Sequence, residues 1–288
     1  MRTRLFSVIL LLLTVSCNLP FASQATPTSE APAATSTAEP PTDSATPTVE
    51  PTEAGDGTLE AIVILQPGPL SVITSPVAVS GQSRPTFEQN LVVAVYDQDG
   101  NEIALQPTTI AADAGSPGPY GSILSFSVAS EQPGRISVYE ASALDGGIVH
   151  LSSVEVTLSP SGPSSIQPAA PGFESIDIQS PAALTELSSG TVVVTGFSDY
   201  YFESNLGLML CGGGGSGAQN DLCGTEDNTL DASFATINSP DIGLPGPFSG
   251  EFTFSVSEPT PGRIVVFAAS PRDGGLLHVS SIPVLLVP

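Results

Sequence analysis

Two histidines are all this chain has, and they sit at matching places. His150 precedes Leu151-Ser152-Ser153 and His278 precedes Val279-Ser280-Ser281, each just after an Asp-Gly-Gly triplet. A serine beside a histidine invites nucleophilic catalysis, which needs a serine held against the imidazole and an acid behind it. No nucleophile elbow accompanies either pair, so each histidine reads as the opening of a strand after a turn. Asp97-Gln98-Asp99-Gly100-Asn101-Glu102 starts like a calcium loop, with oxygen ligands at alternate positions. Position 106, where the closing glutamate would fall, is Gln, and the flanks look like strands. Asp97, Asp99 and Asn101 are therefore a weak calcium candidate beside the plainer reading of a hairpin turn. No cofactor and no other metal site is expected.

Three cysteines remain to be placed. Cys17 ends an N-terminal apolar run, and Cys211 and Cys223 bracket CGGGGSGAQNDLCG. In an external compartment the latter two are expected to form a disulfide. Zinc is the alternative, but it wants four ligands and no His or Cys lies near them in sequence. The glycines at 212–217 lack a following Gly-Lys-Ser/Thr and open no helix, so they do not make a phosphate loop. Glu88 and Glu203 each follow a Phe, and Arg135 and Arg263 each follow a Pro-Gly. A carboxylate–guanidinium pair inside each module would fix geometry; a polar ligand site is the alternative.

These twins arise because the chain repeats itself. Residues 116–160 and 244–288 align without a gap and share about half their positions. Gly81, Phe87-Glu88 and Asn90-Leu91 recur as Gly196, Phe202-Glu203 and Asn205-Leu206. Two modules of roughly 100 residues follow, a usual domain size. Short runs rich in β-branched and aromatic residues dominate, such as Thr191–Thr195 and Phe252–Val256. Gly- and Pro-containing turns punctuate them at intervals of about ten residues. The expected fold is all-β: two tandem immunoglobulin-like Greek-key β-sandwiches, at 59–160 and 174–288. The Pro/Gly-rich linker at 161–173 is expected to hold the modules in line, each folding by itself.

The N-terminus predicts location. Arg2 and Arg4 precede an apolar run from Leu5 to Val15, too short to span a bilayer comfortably. Residues 1–16 read as a secretory signal peptide. Ser16-Cys17 resembles a bacterial lipobox, with Thr14 where Leu is usual, so Cys17 is the expected lipidation site. Residues 17–58 are Pro, Thr, Ser, Ala and Glu, a composition that buries too little to fold. Such a linker favours extended polyproline geometry and could reach on the order of 100 Å. The chain carries 29 acidic residues against six basic ones, a net charge of −23. Loss of Arg2 and Arg4 with the leader would take this to −25 (4 − 29). Such a surface repels nucleic acid and anionic lipid headgroups.

Gly81, Phe87-Glu88, Leu91, Asp99-Gly100, Pro119-Tyr120, Gly134, Tyr139-Glu140 and Asp145-Gly146 together resemble the Gmad2 domain, an immunoglobulin-like module of bacterial spore germination and sporulation proteins. The second copy keeps Gly196, Phe202-Glu203, Leu206, Pro247-Phe248, Gly262 and Asp273-Gly274. It departs where Tyr139-Glu140 becomes Phe267-Ala268 and where Asp99-Gly100 gives way to the longer cysteine-bounded segment. The resemblance implies a non-catalytic extracytoplasmic interaction module. The expected protein is a lipid-anchored, stalked surface lipoprotein, bound to the membrane through its anchor and engaging an envelope polymer or surface protein, not nucleic acid. An accessory module or hydrolase acting on envelope polymer, or a structural spacer, is the alternative. Because the modules differ most at 211–243, Asn220, Asp221, Glu226, Asp227 and Asn228 form the candidate binding loop.

Overall fold

A computed structural model describes residues 58–213 and 222–288. Among them every regular element is a strand, apart from three short 3-10 turns. The first module contains β1 (Ile62–Gln66), β2 (Val72–Ile73), β3 (Val77–Ser83), β4 (Asn90–Tyr96), β5 (Glu102–Thr109), β6 (Gly118–Leu124), β7 (Gln132–Ala141) and β8 (Ile148–Leu158). The second repeats the series as β9 (Ile176–Ser180), β10 (Glu186–Ser188), β11 (Gly190–Ser198), β12 (Asn205–Gly212), β13 (Thr229–Ile237), β14 (Gly246–Phe254), β15 (Thr260–Ala269) and β16 (Leu276–Val287). The run Thr191–Thr195 falls inside β11, and Phe252–Val256 overlaps the end of β14. The short β2 and β10 were not anticipated; two or three residues carry too little alternation to be seen.

Each module is an immunoglobulin-like sandwich. In the first, β1-β3-β6 faces β5-β4-β7-β8. The period-2 alternation of β3 sends Val77, Val79, Gly81 and Ser83 inward and the residues between them to solvent. Val79, Val93, Val95, Ile136 and Leu158 close the core between the sheets. The second core is built likewise around Val194, Leu208, Phe252, Ile264 and Leu286. Gly81 and Gly196 serve the same purpose in both. A Cβ on either would overlap a facing carbonyl, of Val63 or Asp177, and the ring of Tyr120 or Phe248. Only glycine lets the neighbouring strand and the aromatic come that close.

The modules are not beads on a linker. Strands β8 and β16 pair antiparallel, with Leu151 opposite Val279 and Ser152 opposite His278. Leu151 and Val279 are themselves equivalent residues, so a pseudo-twofold axis passes between them. The β5-β4-β7-β8 sheet thereby continues into β16-β15-β12-β13, and both modules lie in one compact unit. This corrects the expectation of modules merely held in line. The linker itself also binds module 1: Gly68 N donates to Gln167 O at 2.6 Å, Val72 N to Ser165 O at 3.0 Å and Ala169 N to Leu65 O at 2.8 Å. Edge backbone groups that would otherwise need water or a partner are satisfied there.

Candidate functional site

The most concentrated chemistry lies on this seam. Asp145-Gly146-Gly147 joins β7 to β8 and Asp273-Gly274-Gly275 joins β15 to β16, and each turn receives an arginine from the other module. Arg135 Nη1 donates to both carboxylate oxygens of Asp273 at 3.2 Å. Arg263 Nη2 lies 3.6 Å from Asp145 Oδ2 and donates to Leu222 O at 2.7 Å. The pairs expected within modules are therefore formed between them. Glu88 and Glu203 instead occupy 3-10 turns at positive φ. The second glycine of each turn is where the guanidinium packs: a Cβ on Gly147 would meet Arg263 Nη2, and one on Gly275 would meet Arg135 Nη2. Arg135 also lies over the Tyr96 ring, 5.3 Å from its centroid.

Asp273 is held well below the ordinary carboxylate value, at about 2. Burial alone would raise it. The Gly275 N–H, the Ser270 hydroxyl and the Arg135 charge outweigh that cost. For Arg263, burial prevails over the attraction of Asp145 and draws its pKa down.

At the axis the two histidines meet edge to face, ring centroids 5.1 Å apart. His150 Nε2 is 2.8 Å from Glu60 Oε1, and His278 Nε2 is 3.0 Å from Glu174 Oε1. His150 Nε2 is also 3.6 Å from Glu174 Oε1. Glu60 and Glu174 are equivalent residues just ahead of β1 and β9. Each fixes its second oxygen on the opposite module: Ser175 N donates to Glu60 Oε2 at 3.3 Å and Ala61 N to Glu174 Oε2 at 3.1 Å. Further out, Ser153 Oγ donates to Leu277 O and Ser281 Oγ to Val149 O, both at 2.6 Å. The side chains of His150, Glu174 and His278 are 7 %, 3 % and 5 % exposed, so these groups face one another rather than water.

Their ionisation follows. Burial would raise the pKa of Glu60, but the hydrogen bond from His150, the fields of His278 and His150 and the Ser152 hydroxyl hold it at about 2. Burial would lower that of His278, but its bond to Glu174 and the charges of Glu60 and Glu174 raise it above the ordinary imidazole value. Ser152 Oγ donates to Glu60 Oε1 at 2.9 Å; its hydroxyl is spent on a carboxylate rather than offered to a histidine.

Two clefts flank the cluster. One of about 440 Å³ is lined by Glu60, Ser152, Ser175, Tyr201 and His278. The other, of about 360 Å³, is lined by Arg84, Thr86, Glu140, His150 and Ser281. They are related by the pseudo-twofold: Thr86 and Tyr201 are equivalent, and Phe87 and Phe202 beside them are both 59 % exposed.

This arrangement meets known proteins in one place. Residues 61–147 match the Gmad2 family, the immunoglobulin-like domain of bacterial spore germination. The match lies within module 1. No curated protein matches the chain. Among solved structures, dimeric latent PorU from Porphyromonas gingivalis is 12% identical, over 80% of this chain and 24% of that one, with a TM-score of 0.24. The chain thus spans about a quarter of PorU's length. A chimeric titin Z1Z2 tandem is 12% identical, over 78% of this chain and 98% of that one, with a TM-score of 0.19. Titin domains Z1Z2 in complex with telethonin give 12% identity, 80% and 97% coverage and a TM-score of 0.19. Scores this low support nothing about activity or partners. The immunoglobulin-like assignment rests on strand order and on the family match.

The residues singled out in the sequence fare unevenly. Cys211 and Cys223 form a disulfide, with Cα atoms 5.3 Å apart. It is buried against Tyr139, Ile148 and Leu151 of module 1, so it belongs to the seam. Glu226 and Asp227 are exposed as expected. Asn228 is not: it is 8 % exposed, and its Nδ2 donates to Cys223 O at 3.0 Å. It organises the loop from within and is no binding tip. Asn220 and Asp221 lie outside the described residues, as do Cys17, the leader and residues 18–57 of the linker. Asp97 Oδ1 accepts from Asp99 N and Asn101 N at 2.9 Å, and Asn101 Nδ2 reaches both its oxygens. These contacts, the Asn101 side chain first, lower its pKa. They are the bonds of a hairpin turn. The Glu60–Glu174 pair went unnoticed in the sequence because neither sits in a motif. Their signal was duplication: acids at LEAI and FESI, twinned like the histidines.

Proposed function

We propose that the chain is an extracytoplasmic binding lipoprotein: two Gmad2-type modules, locked into one rigid head, carried by a lipid on Cys17 and a Pro/Thr/Ser-rich stalk. The observation that carries the binding reading is the pair of symmetry-related clefts, with the exposed Phe87 and Phe202 next in sequence to the lining residues Thr86 and Tyr201. Concave sites of mixed polarity suit recognition of a chain-like partner, an envelope polymer or a surface protein. Ser152, bonded to Glu60, favours a non-catalytic role. The anchor and external location rest on the Arg2/Arg4 leader and the Ser16-Cys17 junction; the second copy as a Gmad2-type module rests on its matching strand order and turns.

Two measurements test this. Fatty-acid probe labelling of the full chain and of Cys17→Ala in a bacterial host should mark only the former; equal labelling would remove the anchor. Co-sedimentation with isolated cell-envelope material should retain the full chain. A Phe87→Ala/Phe202→Ala variant, unchanged in circular dichroism, should be retained far less. Undiminished retention would take the clefts out of the binding site.

A further inference from the structure

We propose that Glu60, His150, Glu174 and His278 form a four-coordinate site for a divalent transition ion of the zinc class, shared equally by the two modules. The donor set is two imidazoles and two carboxylates, all with ligand atoms within 4.8 Å of one another. A tetrahedral ion with bonds of about 2.0–2.1 Å places its ligand atoms about 3.3 Å apart. The contacts of 2.8, 3.0 and 3.6 Å bracket that spacing. The remaining separations, up to 4.8 Å, would have to close by as much as about 1.5 Å for the cluster to become a coordination shell.

The surroundings are those of a ligand set. Each carboxylate has one oxygen fixed by a backbone N–H of the other module and turns its Oε1 to the axis, the arrangement monodentate ligation needs. The Ser152 hydroxyl on Glu60 Oε1 supplies the kind of outer hydrogen bond that orients metal ligands. Charge also fits. The part-buried Glu60 and buried Glu174 call for positive charge beyond the exposed Arg84, whose Nη2 lies 3.5 Å from Glu174 Oε2, and a dication supplies it. Imidazole selects transition ions over magnesium or calcium. The 440 Å³ cleft lined by Glu60 and His278 leads in from solvent, and a chain of net charge −23 concentrates cations around it. Since each module gives one histidine and one glutamate, the ion would clamp the modules together, whatever the head binds.

Cobalt(II) is the decisive probe. The full chain, purified in detergent and stripped with a chelator, is titrated with Co²⁺ and then Zn²⁺. Expected are one Co²⁺ per chain, the intense visible band of four-coordinate cobalt, its stoichiometric loss to Zn²⁺, and a higher melting temperature with Zn²⁺. His150→Gln and His278→Gln should each weaken binding by about 100-fold or more, while Asp97→Asn/Asp99→Asn should leave it unchanged. Should the histidine variants fail to fold, the wild-type chain still decides: shifted imidazole N–H resonances from two histidines in the cobalt form are required. A weak octahedral spectrum, no saturable binding, or binding indifferent to the histidine changes would overturn the site, leaving two hydrogen-bonded histidine–carboxylate pairs in its place.

Discussion

The Asp97–Asn101 hairpin of module 1 and the cysteine-bounded segment of module 2 differ more than any other matched stretch. Yet they do the same thing. Gly100 packs against Asp273 and Gly224 against Asp145, so each loop covers the Asp-Gly-Gly turn of the opposite module. In the first, the Asp97 carboxylate organises a tight turn by accepting backbone and Asn101 hydrogen bonds. In the second, a longer loop is closed by the Cys211–Cys223 disulfide and the Asn228 bond to Cys223 O. Divergence between copies is therefore no guide to where a ligand binds. Here it marks two ways of filling one gap. What both copies retain, Arg, Asp-Gly-Gly, His and the early Glu, is what the seam uses.

The comparison breaks most sharply at the arginines. Arg135→Ala takes from the fully buried Asp273 side chain its buried partner, leaving only the 3.3 Å contact from the part-exposed Arg272, and should cost about 3–5 kcal/mol in denaturant unfolding. Arg272→Ala removes only a bridge to the exposed Glu155 and a second contact to Asp273; it should cost about 1 kcal/mol or less. Equal costs would mean that the seam is not a buried interface.

Removing the staple comes next. The Cys211→Ser/Cys223→Ser variant opens a crosslink spanning 12 residues and should lose about 2–3 kcal/mol. The Asp97 hairpin needs no such crosslink. If the two loops are equivalent covers, the loss should fall on the whole head rather than on module 2 alone.

Acid gives a graded effect. Asp273 has its folded value lowered from 3.8 to about 2, so the unfolded chain takes up the proton first as pH falls. Its stabilisation is complete above the unfolded value and disappears as pH drops through about 2. Urea midpoints measured between pH 5 and pH 2 should fall, and in Asp273→Asn this part of the decline should be absent. At the small end, Asp227→Asn, on the exposed part of the module 2 loop, should shift stability by no more than about 0.5 kcal/mol.

Much of this was legible beforehand. Period-2 runs and Gly/Pro turns located the long strands, because one face of each is buried and its alternation is therefore written in the residues. The repeat gave the module count, and two cysteines in a reading of external location gave the disulfide. The seam was hidden for a physical reason. Arg135 and Asp273 are far apart in sequence and belong to different copies, so neither periodicity nor local spacing connects them. Treating each twin as scaffold for its own module concealed that twins can serve a twofold interface, where residue i of one copy meets j of the other and j meets i. His150 and His278 show it most plainly: both do enter strands after turns, but what places them there is each other and the pair of glutamates.

Joined through β8, β16 and the buried charges, both modules should unfold as one body. Differential scanning calorimetry of the full chain tests it most directly. A single transition whose calorimetric and van't Hoff enthalpies agree is expected, with Arg135→Ala lowering that one transition without splitting it. Two resolved transitions, each with roughly half the enthalpy and only one of them moved by Arg135→Ala, would show two independent domains and contradict it.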